Sequence, residues 1–194
     1  MALFTLNVGP RDGEVCGLQW AWERRIPELD TSDFKVSVFL LPEAFSKNKK
    51  PRLLVLNKTA MKIVDSCRGQ HPEVVFTYQG GKDQKPHRID TMNNGGWQAA
   101  RVRWSARYKK EFNREAPDGL RTLHVHDLRH TFGRRLRALG VSNETRADLL
   151  GHTNGNITTD YSSAEVGELL AAVRKLEIPM ASTPTLTVLR MQAA

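Results

Sequence analysis

The sequence predicts a mainly α-helical protein with one small antiparallel β-sheet, an α+β fold. Two observations lead to this prediction. Segments with helical periodicity and capping residues fill most of the chain, and only three short runs are rich in the β-branched and aromatic residues of strands. A chain of 194 residues is also long enough for one domain with its own hydrophobic core.

The first elements are two short helices. Residues 3–8 form the apolar end of a helix that breaks at Gly9-Pro10, because the residue before a proline is disfavoured in helical geometry. Proline itself suits a first helical turn, so a second short helix is expected from about Arg11 to Leu18.

A β-hairpin with a basic tip follows. Residues 33–41 and 52–56 have the apolar, β-branched and aromatic composition of strands. The segment between them contains Lys47, Lys49 and Lys50. The sequence therefore predicts an antiparallel pair of strands whose connection is positively charged.

The middle of the chain predicts a helix, a strand, a loop and a long helix. Asn57 can cap a helix that ends near residue 68, and residues 74–78 predict a third strand. A loop rich in Gly, Asp, Lys, Pro and Asn spans residues 79–95. The long helix extends over about residues 92–112, and its expected buried side consists of Trp97, Val102, Trp104 and Tyr108.

The C-terminal part predicts four helical segments, at about residues 126–139, 143–150, 155–161 and 163–177. Gly140 occupies a C-cap position, and Ser142 or Asn143 can cap the helix that follows. The last helix has an apolar stripe formed by Val166, Leu169, Leu170, Val173 and Leu176. An extended tail is expected after it.

Charge and composition narrow the class of function. Lys and Arg total 29 against 21 acidic residues, and this net charge of +8 fits a polyanionic partner. Two cysteines without a CxxC pair predict no disulfide framework. No segment approaches the roughly 20 apolar residues of a membrane span. We therefore expect a cytoplasmic protein that does not act at a membrane.

Polar residues near the C-terminus have the chemistry of a site that reacts at a phosphate. The segment His126-Asp-Leu-Arg129-His130 is followed by Leu150-Gly151-His152 and then by Tyr161. Reaction at a phosphate needs cations or donors around its oxygens, proton carriers beside it and a nucleophile in line. Tyr161 is the candidate nucleophile, because the other two tyrosines have packing explanations in a strand and a helix.

Helical phasing divides the first of these segments into two faces. At about 100° per residue, one face is a core stripe of Leu128, Phe132, Leu136 and Leu139; the other holds His126, His130, Gly133 and Arg137, with Arg129 at the border. Two histidines and two arginines around a glycine, with almost no acid, favour an anion site over a solvated surface. The i, i+4 pair of histidines superficially suits zinc, but the helix lacks the Glu of a zinc protease and no cysteine is near. We expect no metal and no other cofactor.

The spacing of these residues resembles that of the tyrosine recombinase (phage integrase) family. Two further segments are similar to family motifs: Asn7-Val-Gly-Pro-Arg11-Asp-Gly-Glu14 to Thr-Gly-x-Arg-x-x-Glu, and Ser46-Lys47-Asn48 to a hairpin Thr-Lys-Asn segment. The resemblance implies six catalytic residues: Arg11, Lys47, His126, Arg129, His152 and Tyr161. Lys49 and Lys50 lie close enough to Lys47 to stay open as alternatives.

The resemblance also implies a reaction. Tyr161 attacks a DNA phosphodiester to give a 3′-phosphotyrosyl link and a free 5′-hydroxyl, and strand exchange and religation follow. Arg11 and Arg129 hold the non-bridging oxygens, and Lys47 protonates the leaving oxygen. His126 exchanges the proton of Tyr161, and His152 donates a hydrogen bond to the phosphate. The implied enzyme is a DNA breaking-rejoining enzyme.

The expected partner is double-stranded DNA, on which the family implies a homotetramer, with a monomer or weak oligomer away from DNA. Most contacts should be to phosphates, and affinity should fall as salt rises. The residues considered for these contacts are Lys49, Lys50, Arg101, Arg103, Arg134, Arg135 and Arg137.

The resemblance assigns residues 1–177 to a catalytic domain that lacks its first helix and the N-terminal core-binding domain of the family. Residues 178–194 form a tail, and both this tail and the last helix can dock on their own chain or on a neighbouring subunit. Two alternative functions stay open: a non-catalytic DNA-binding remnant and a type IB topoisomerase. The Leu-Gly-His152 element nine residues before Tyr161 favours the recombinase over the topoisomerase.

Overall fold

Helices make up most of the fold, as predicted, and the strands form small antiparallel sheets. The computed structural model describes residues 1–46, 49–80, 85–152 and 163–177. Within these ranges the helices are α1 (Ala2–Val8), α2 (Asp12–Cys16), α3 (Lys58–Ser66), α4 (Gly95–Phe112), α5 (Asp118–Arg121), α6 (Val125–Ala138), α7 (Asn143–Leu150) and α8 (Ser163–Arg174). The strands are β1 (Glu23–Arg25), β2 (Ser37–Leu41), β3 (Arg52–Val55), β4 (Thr77–Gln79) and β5 (Pro86–Arg88).

The predicted hairpin forms two strands of a three-stranded sheet. β2 and β3 pair antiparallel, with Phe39 opposite Leu54, and both side chains are buried. β1 pairs with the other edge of β2. The sequence does not predict β1, because the segment Glu-Arg-Arg has none of the apolar alternation that marks a strand.

Two predictions in the middle of the chain are wrong in detail. The third strand is β4, which begins at Thr77, whereas Val74 makes only an isolated bridge to Gln19. The segment predicted as a loop contains β5, which pairs antiparallel with β4. Pro86 hides this strand from a propensity argument, although proline is tolerated at the start of an edge strand because no ladder bond is lost there.

Helix α6 packs against α1 in the centre of the core. Phe132 and Leu136 of α6 are fully buried, as is Phe4 of α1. The predicted core stripe of α6 is therefore confirmed for its first three members, while Leu139 is only half-buried at the helix end. This packing fixes which face of α6 is left for polar side chains.

Helix α8 packs on its own chain, which is one of the two alternatives that the sequence left open. The predicted apolar stripe is buried: Val166, Leu169, Leu170 and Val173 lie in α8, and Leu176 lies in the short 3-10 turn that follows it. Asn57 caps α3 by accepting a hydrogen bond from the Ala60 N–H at 2.9 Å, as predicted. Its amide also donates to the Val173 carbonyl oxygen at 3.3 Å, which joins α3 to α8. The predicted helix at 155–161 and the tail at 178–194 lie outside the described residues.

Helix α4 is more exposed than its sequence predicts. None of its residues is buried, and the side chains of Val102 and Trp104 are 70% and 40% exposed. Trp97 is half-buried and donates through Nε1 to the Leu123 carbonyl oxygen at 3.2 Å. The expected buried side was therefore wrong, because α4 contacts mainly the short α5 rather than the core. In the described ranges, α4 included, no helix has the length and apolar character needed to cross a membrane.

Candidate active site

Three consecutive carbonyl oxygens at the C-terminal end of α7 accept hydrogen bonds from three arginines. Arg52 Nη2 donates to Leu149 at 3.1 Å, Arg129 Nη2 donates to Leu150, and Arg11 Nη2 donates to Gly151 at 3.3 Å. The last carbonyls of a helix have no partner within the helix, and that end carries partial negative charge. The end of α7 therefore collects guanidinium groups that come from distant parts of the chain.

The carbonyl oxygen of Gly9 joins two of these arginines at the end of α1. It accepts from Arg52 Nη2 at 3.1 Å and from Arg129 Nη1 at 2.6 Å. Gly9 has a φ of 70°, and a Cβ at this position would lie 2.3 Å from a ring carbon of Phe132. A glycine is therefore required here both by the left-handed backbone and by the close approach of α6.

Glu14 is a buried carboxylate between two of the arginines. Its Oε1 accepts from Arg11 Nη1 at 2.8 Å, and its Oε2 accepts from the Arg11 backbone N–H at 2.7 Å and from Arg52 Nη1. Both Glu14 and Arg52 are almost wholly buried. A buried ion pair is tolerated when further hydrogen bonds satisfy its charges, as the Gly9 and Leu149 carbonyls do here for Arg52.

Arg52 is the residue of this site that sequence reasoning missed. The sequence places it only at the first position of the second hairpin strand, with no role assigned. The signal that could have found it is its place at the start of β3, a strand whose other residues, Leu-Leu-Val, are all buried. An arginine that opens a buried strand must bring its charge into the interior, so it needs acceptors there.

The arginines open onto a cleft of about 420 Å³ beside α6. Four of the six predicted catalytic residues line it: Arg11, His126, Arg129 and His152. The rings of His126 and His130 meet edge to face, with their centroids 4.5 Å apart. Lys47 and Tyr161 lie outside the described residues. The structure thus brings together two arginines and two histidines from three separate parts of the chain.

The polar face predicted for α6 also lies in the cleft. His130, Gly133 and Arg137 line it, and Arg134 lies beside them. Arg129, which the phasing placed at the border of the core stripe, is 4% exposed and points its guanidinium to the Gly9 and Leu150 carbonyls. The position of Arg129 at the border allows it to reach the cleft from within the core.

The cleft lowers the pKa values of its basic groups. Burial, followed by the neighbouring guanidinium groups of Arg52 and Arg11, lowers the pKa of Arg129 to about 9, so this side chain is still protonated at neutral pH. Burial and then the charges of nearby residues lower the pKa of His126 and of His152 below 6.5. Both shifts favour the neutral form of the imidazole.

The arrangement can bind an anion and exchange protons with it. The guanidinium groups supply fixed positive charge, and each neutral imidazole carries one N–H donor and one basic nitrogen. No group of three or more His, Cys, Asp or Glu side chains that could hold a metal ion occurs in the part of the chain that the structure describes.

Comparison with known proteins identifies one matching family. The model of the phage integrase family matches residues 1–167 of this chain. No curated protein matches it.

Among solved structures, the chain is similar to several complexes of the Tn1549 transposon integrase with DNA. In one, with circular intermediate DNA, the integrase is 18% identical with a TM-score of 0.47, and the match covers 79% of this chain and 51% of that one. In another, with transposon right end DNA, the integrase is 19% identical with a TM-score of 0.48, and the match covers 79% of this chain and 50% of that one. The chain thus spans about half the length of the integrase chains that it matches.

Proposed function

The chain belongs to the phage integrase family, and on this premise we propose that it is the catalytic domain of a site-specific DNA recombinase. The observation that carries the proposal is the cleft in which Arg11 and Arg129 meet two histidines, His126 and His152. The family match also extends through Tyr161, the proposed nucleophile.

The two cleft arginines bind the non-bridging oxygens of the scissile phosphate. Arg11 is oriented by Glu14 and the Gly151 carbonyl, and Arg129 by the Gly9 and Leu150 carbonyls. Because these bonds exist before DNA arrives, little reorganisation is needed when charge develops on the pentacovalent phosphorus. Removing one such preorganised donor is expected to lower the rate by about 10²–10³-fold.

The reaction begins when the Tyr161 oxygen forms a bond to phosphorus and the bond from phosphorus to the 5′ oxygen breaks. Neutral His126 takes the tyrosine proton, and His152 donates its N–H to a phosphate oxygen. Lys47 gives a proton to the departing 5′ oxygen. The products are a 3′-phosphotyrosyl link and a free 5′-hydroxyl, and reversal on a second 5′-hydroxyl completes strand exchange. The link retains the phosphodiester energy, so the reaction needs no nucleotide triphosphate.

The substrate is double-stranded DNA, and strand exchange between two duplexes requires four active sites, which the family supplies as a homotetramer. The surplus of basic residues supports binding to a polyanion, with affinity that falls steeply as salt rises. The same chemistry requires a compartment that contains DNA, and the proposed location is the cytoplasm.

Covalent trapping on nicked DNA tests this proposal. The chain is incubated with nicked duplexes of randomised sequence around the nick, from which the cleaved fragment diffuses away, and an adduct that resists denaturant is measured. Tyr161→Phe should abolish the adduct. Tyr78→Phe, which alters a tyrosine on the exposed strand β4, should retain it. An adduct that persists in Tyr161→Phe would contradict the assignment.

The same assay separates the two alternative functions. DNA binding without any adduct indicates the non-catalytic remnant. Relaxation of supercoiled plasmid at low protein concentration, with no joining between duplexes, indicates a topoisomerase.

The choice of Lys47 over Lys49 and Lys50 has its own test. A substrate with sulfur in place of the bridging 5′ oxygen does not need a proton on its leaving group. Replacement of the true proton donor by alanine should therefore slow cleavage of the normal substrate but not of the sulfur substrate. The same rescue in a Lys49 or Lys50 variant, with none in Lys47→Ala, would reassign the role.

A further inference from the structure

The cleft beside α6 continues past the proposed catalytic residues. At its far end it is lined by Arg134, Arg137 and Arg146, none of which belongs to the six residues assigned above. Arg134 and Arg137 are exposed to solvent within the cleft. The cleft therefore has a second cationic end.

Helix geometry places this second end at a defined distance from the first. Arg134 and Arg137 follow Arg129 by five and eight residues, which at 1.5 Å per residue is about 7.5 and about 12 Å along α6. A DNA strand carries one phosphate per nucleotide. A strand whose scissile phosphate lies at Arg129 and that runs along α6 therefore brings its next phosphate within reach of a long arginine side chain at the second end.

The arginines at the two ends differ in how their charge is satisfied. Arg129 donates to two carbonyl oxygens, and Arg135, on the opposite side of α6, donates to the Leu6 and Leu176 carbonyls at 2.9 and 3.0 Å. The side chains of Arg134 and Arg137 make no hydrogen bond or ion pair within the described ranges. Two neighbouring guanidinium groups with no acidic side chain between them form a binding site for an anion of a ligand.

The close approach of α7 to α6 holds the two ends in one cleft. A Cβ at Gly133 would lie 3.3 Å from the Cδ1 atom of Leu150, so the absence of a side chain lets the helices meet there. Leu150 is also the residue whose carbonyl binds Arg129. Arg146 of α7 is tied to its own helix through the Ser142 carbonyl and the Asn143 side chain, both at 3.2 Å.

We propose that Arg134 and Arg137 bind the backbone phosphate next to the scissile phosphate, in the strand that is cleaved. This inference rests on the proposed function, since it takes the scissile phosphate to lie at Arg11 and Arg129. The two arginines are positioning residues: they touch the strand but not the reacting atoms. They set the direction in which the strand crosses the cleft, so that the phosphorus meets the nucleophile in line.

A nucleotide with two neighbouring phosphates tests the inference without knowledge of the DNA target. Thymidine 3′,5′-bisphosphate carries two consecutive phosphates of a strand, whereas thymidine 5′-monophosphate carries one. Dissociation constants are measured at low salt for the wild-type chain and for Arg134→Gln/Arg137→Gln. We expect the wild type to bind the bisphosphate about tenfold more tightly than the monophosphate, as loss of one charge-assisted contact implies. The variant should lose this preference and bind the monophosphate as the wild type does.

A control variant removes the same charge elsewhere. Arg24→Gln/Lys35→Gln alters two exposed residues of the β1–β2 side that do not line the cleft, and it should keep the tenfold preference. The inference is overturned if the wild type does not prefer the bisphosphate or binds neither nucleotide. It is also overturned if the control variant loses as much of the bisphosphate preference as the cleft variant does.

Duplex DNA gives a second readout. The slope of log affinity against log salt should fall in magnitude by about 0.9 for the phosphate that is no longer bound, and an unchanged slope would contradict the inference. Failure of the proposed function is a separate result, because it would appear in the trapping assay as a wild-type chain that forms no covalent adduct through Tyr161. An adduct that forms normally while the bisphosphate preference is absent overturns only this inference.

Discussion

The backbone of Gly151 lies directly against the side chain of Arg52. A Cβ at Gly151 would lie 2.7 Å from Nε and 2.8 Å from Cδ of Arg52, and the backbone φ of Gly151 is +60°. The Gly151 carbonyl also accepts a hydrogen bond from Arg11. One glycine therefore packs on one arginine of the cleft and holds another, so its substitution should disturb both.

Gly151→Ala should lower the free energy of unfolding more than Gly140→Ala does. Gly140 has a φ of +72° with nothing within 4 Å of its Cβ position, so alanine there costs only the left-handed backbone strain, about 1–2 kcal/mol. At position 151 the same strain is added to a clash that displaces Arg52 from the Gly9 and Leu149 carbonyls. Urea unfolding of the two variants measures the difference in their free energies of unfolding. Equal decreases in the two variants would show that the Arg52 side chain moves away from the new Cβ without loss of stability.

Arg52→Met should destabilise the protein strongly. The substitution leaves Glu14 with Arg11 as its one described cationic partner and removes the Arg52 hydrogen bonds to the Gly9 and Leu149 carbonyls, of which Gly9 keeps its bond from Arg129. Breaking a buried ion pair from one side typically costs about 3–5 kcal/mol. The double variant Glu14→Gln/Arg52→Met should recover part of this loss, because no uncompensated carboxylate is left. A single variant as stable as the wild type in urea unfolding would contradict the structural role given to Arg52.

Stability should fall as the pH drops below about 6.5, with His126 and His152 as contributors. Their pKa values are lowered in the folded protein from an ordinary value of 6.5, so below that pH the unfolded chain binds protons that the folded chain resists. Proton binding then stabilises the unfolded state relative to the folded state. At higher pH the two histidines are neutral in both states, so they no longer make stability depend on pH. Unfolding midpoints at pH 7.5 and 5.5 should differ less in His126→Gln/His152→Gln than in the wild type. If the variant and the wild type showed the same difference between the two midpoints, these histidines would not be the cause of the pH dependence.

Cys16 should resist alkylation in the native protein. Burial, and then the nearby Asp12 carboxylate, raise the pKa of its thiol to about 12, so the reactive thiolate is rare at pH 8. Cys67 is partly exposed. Iodoacetamide at pH 8 should therefore modify Cys67 first, and Cys16 at a rate that urea accelerates. Mass spectrometry of the digested protein distinguishes the sites, and equal native rates would contradict the burial of α2.

The predictions that succeeded rest on local physics. The core stripe of α6 follows from helical periodicity, and the capping of α3 by Asn57 depends on a residue three positions away. Each can be inferred from one short segment, because the interacting groups belong to the same turn or the same face of a helix. The hairpin of β2 and β3 was predictable for a similar reason, because its two strands are close together in the sequence.

The predictions that failed concern where a segment lies in the molecule. The aromatic residues of α4 have the spacing of a buried face, but only Trp97, near the start of the helix, packs against the core, so Trp104 stays partly exposed. Periodicity indicates which residues share a face and does not indicate what covers it. β5 was hidden for a related reason, since its pairing with β4 compensates for the poor strand propensity of Pro86.

The sequence by itself determined the fold class, the family and the identity of the residues proposed for catalysis, because spacing within short motifs is preserved in the chain. Only the tertiary structure decided how those residues are held. Arg11 meets the Gly151 carbonyl across 140 positions and Arg52 meets Leu149 across 97. Such contacts form because buried guanidinium groups need acceptors wherever the fold offers them, and the free carbonyls at the end of α7 are those acceptors.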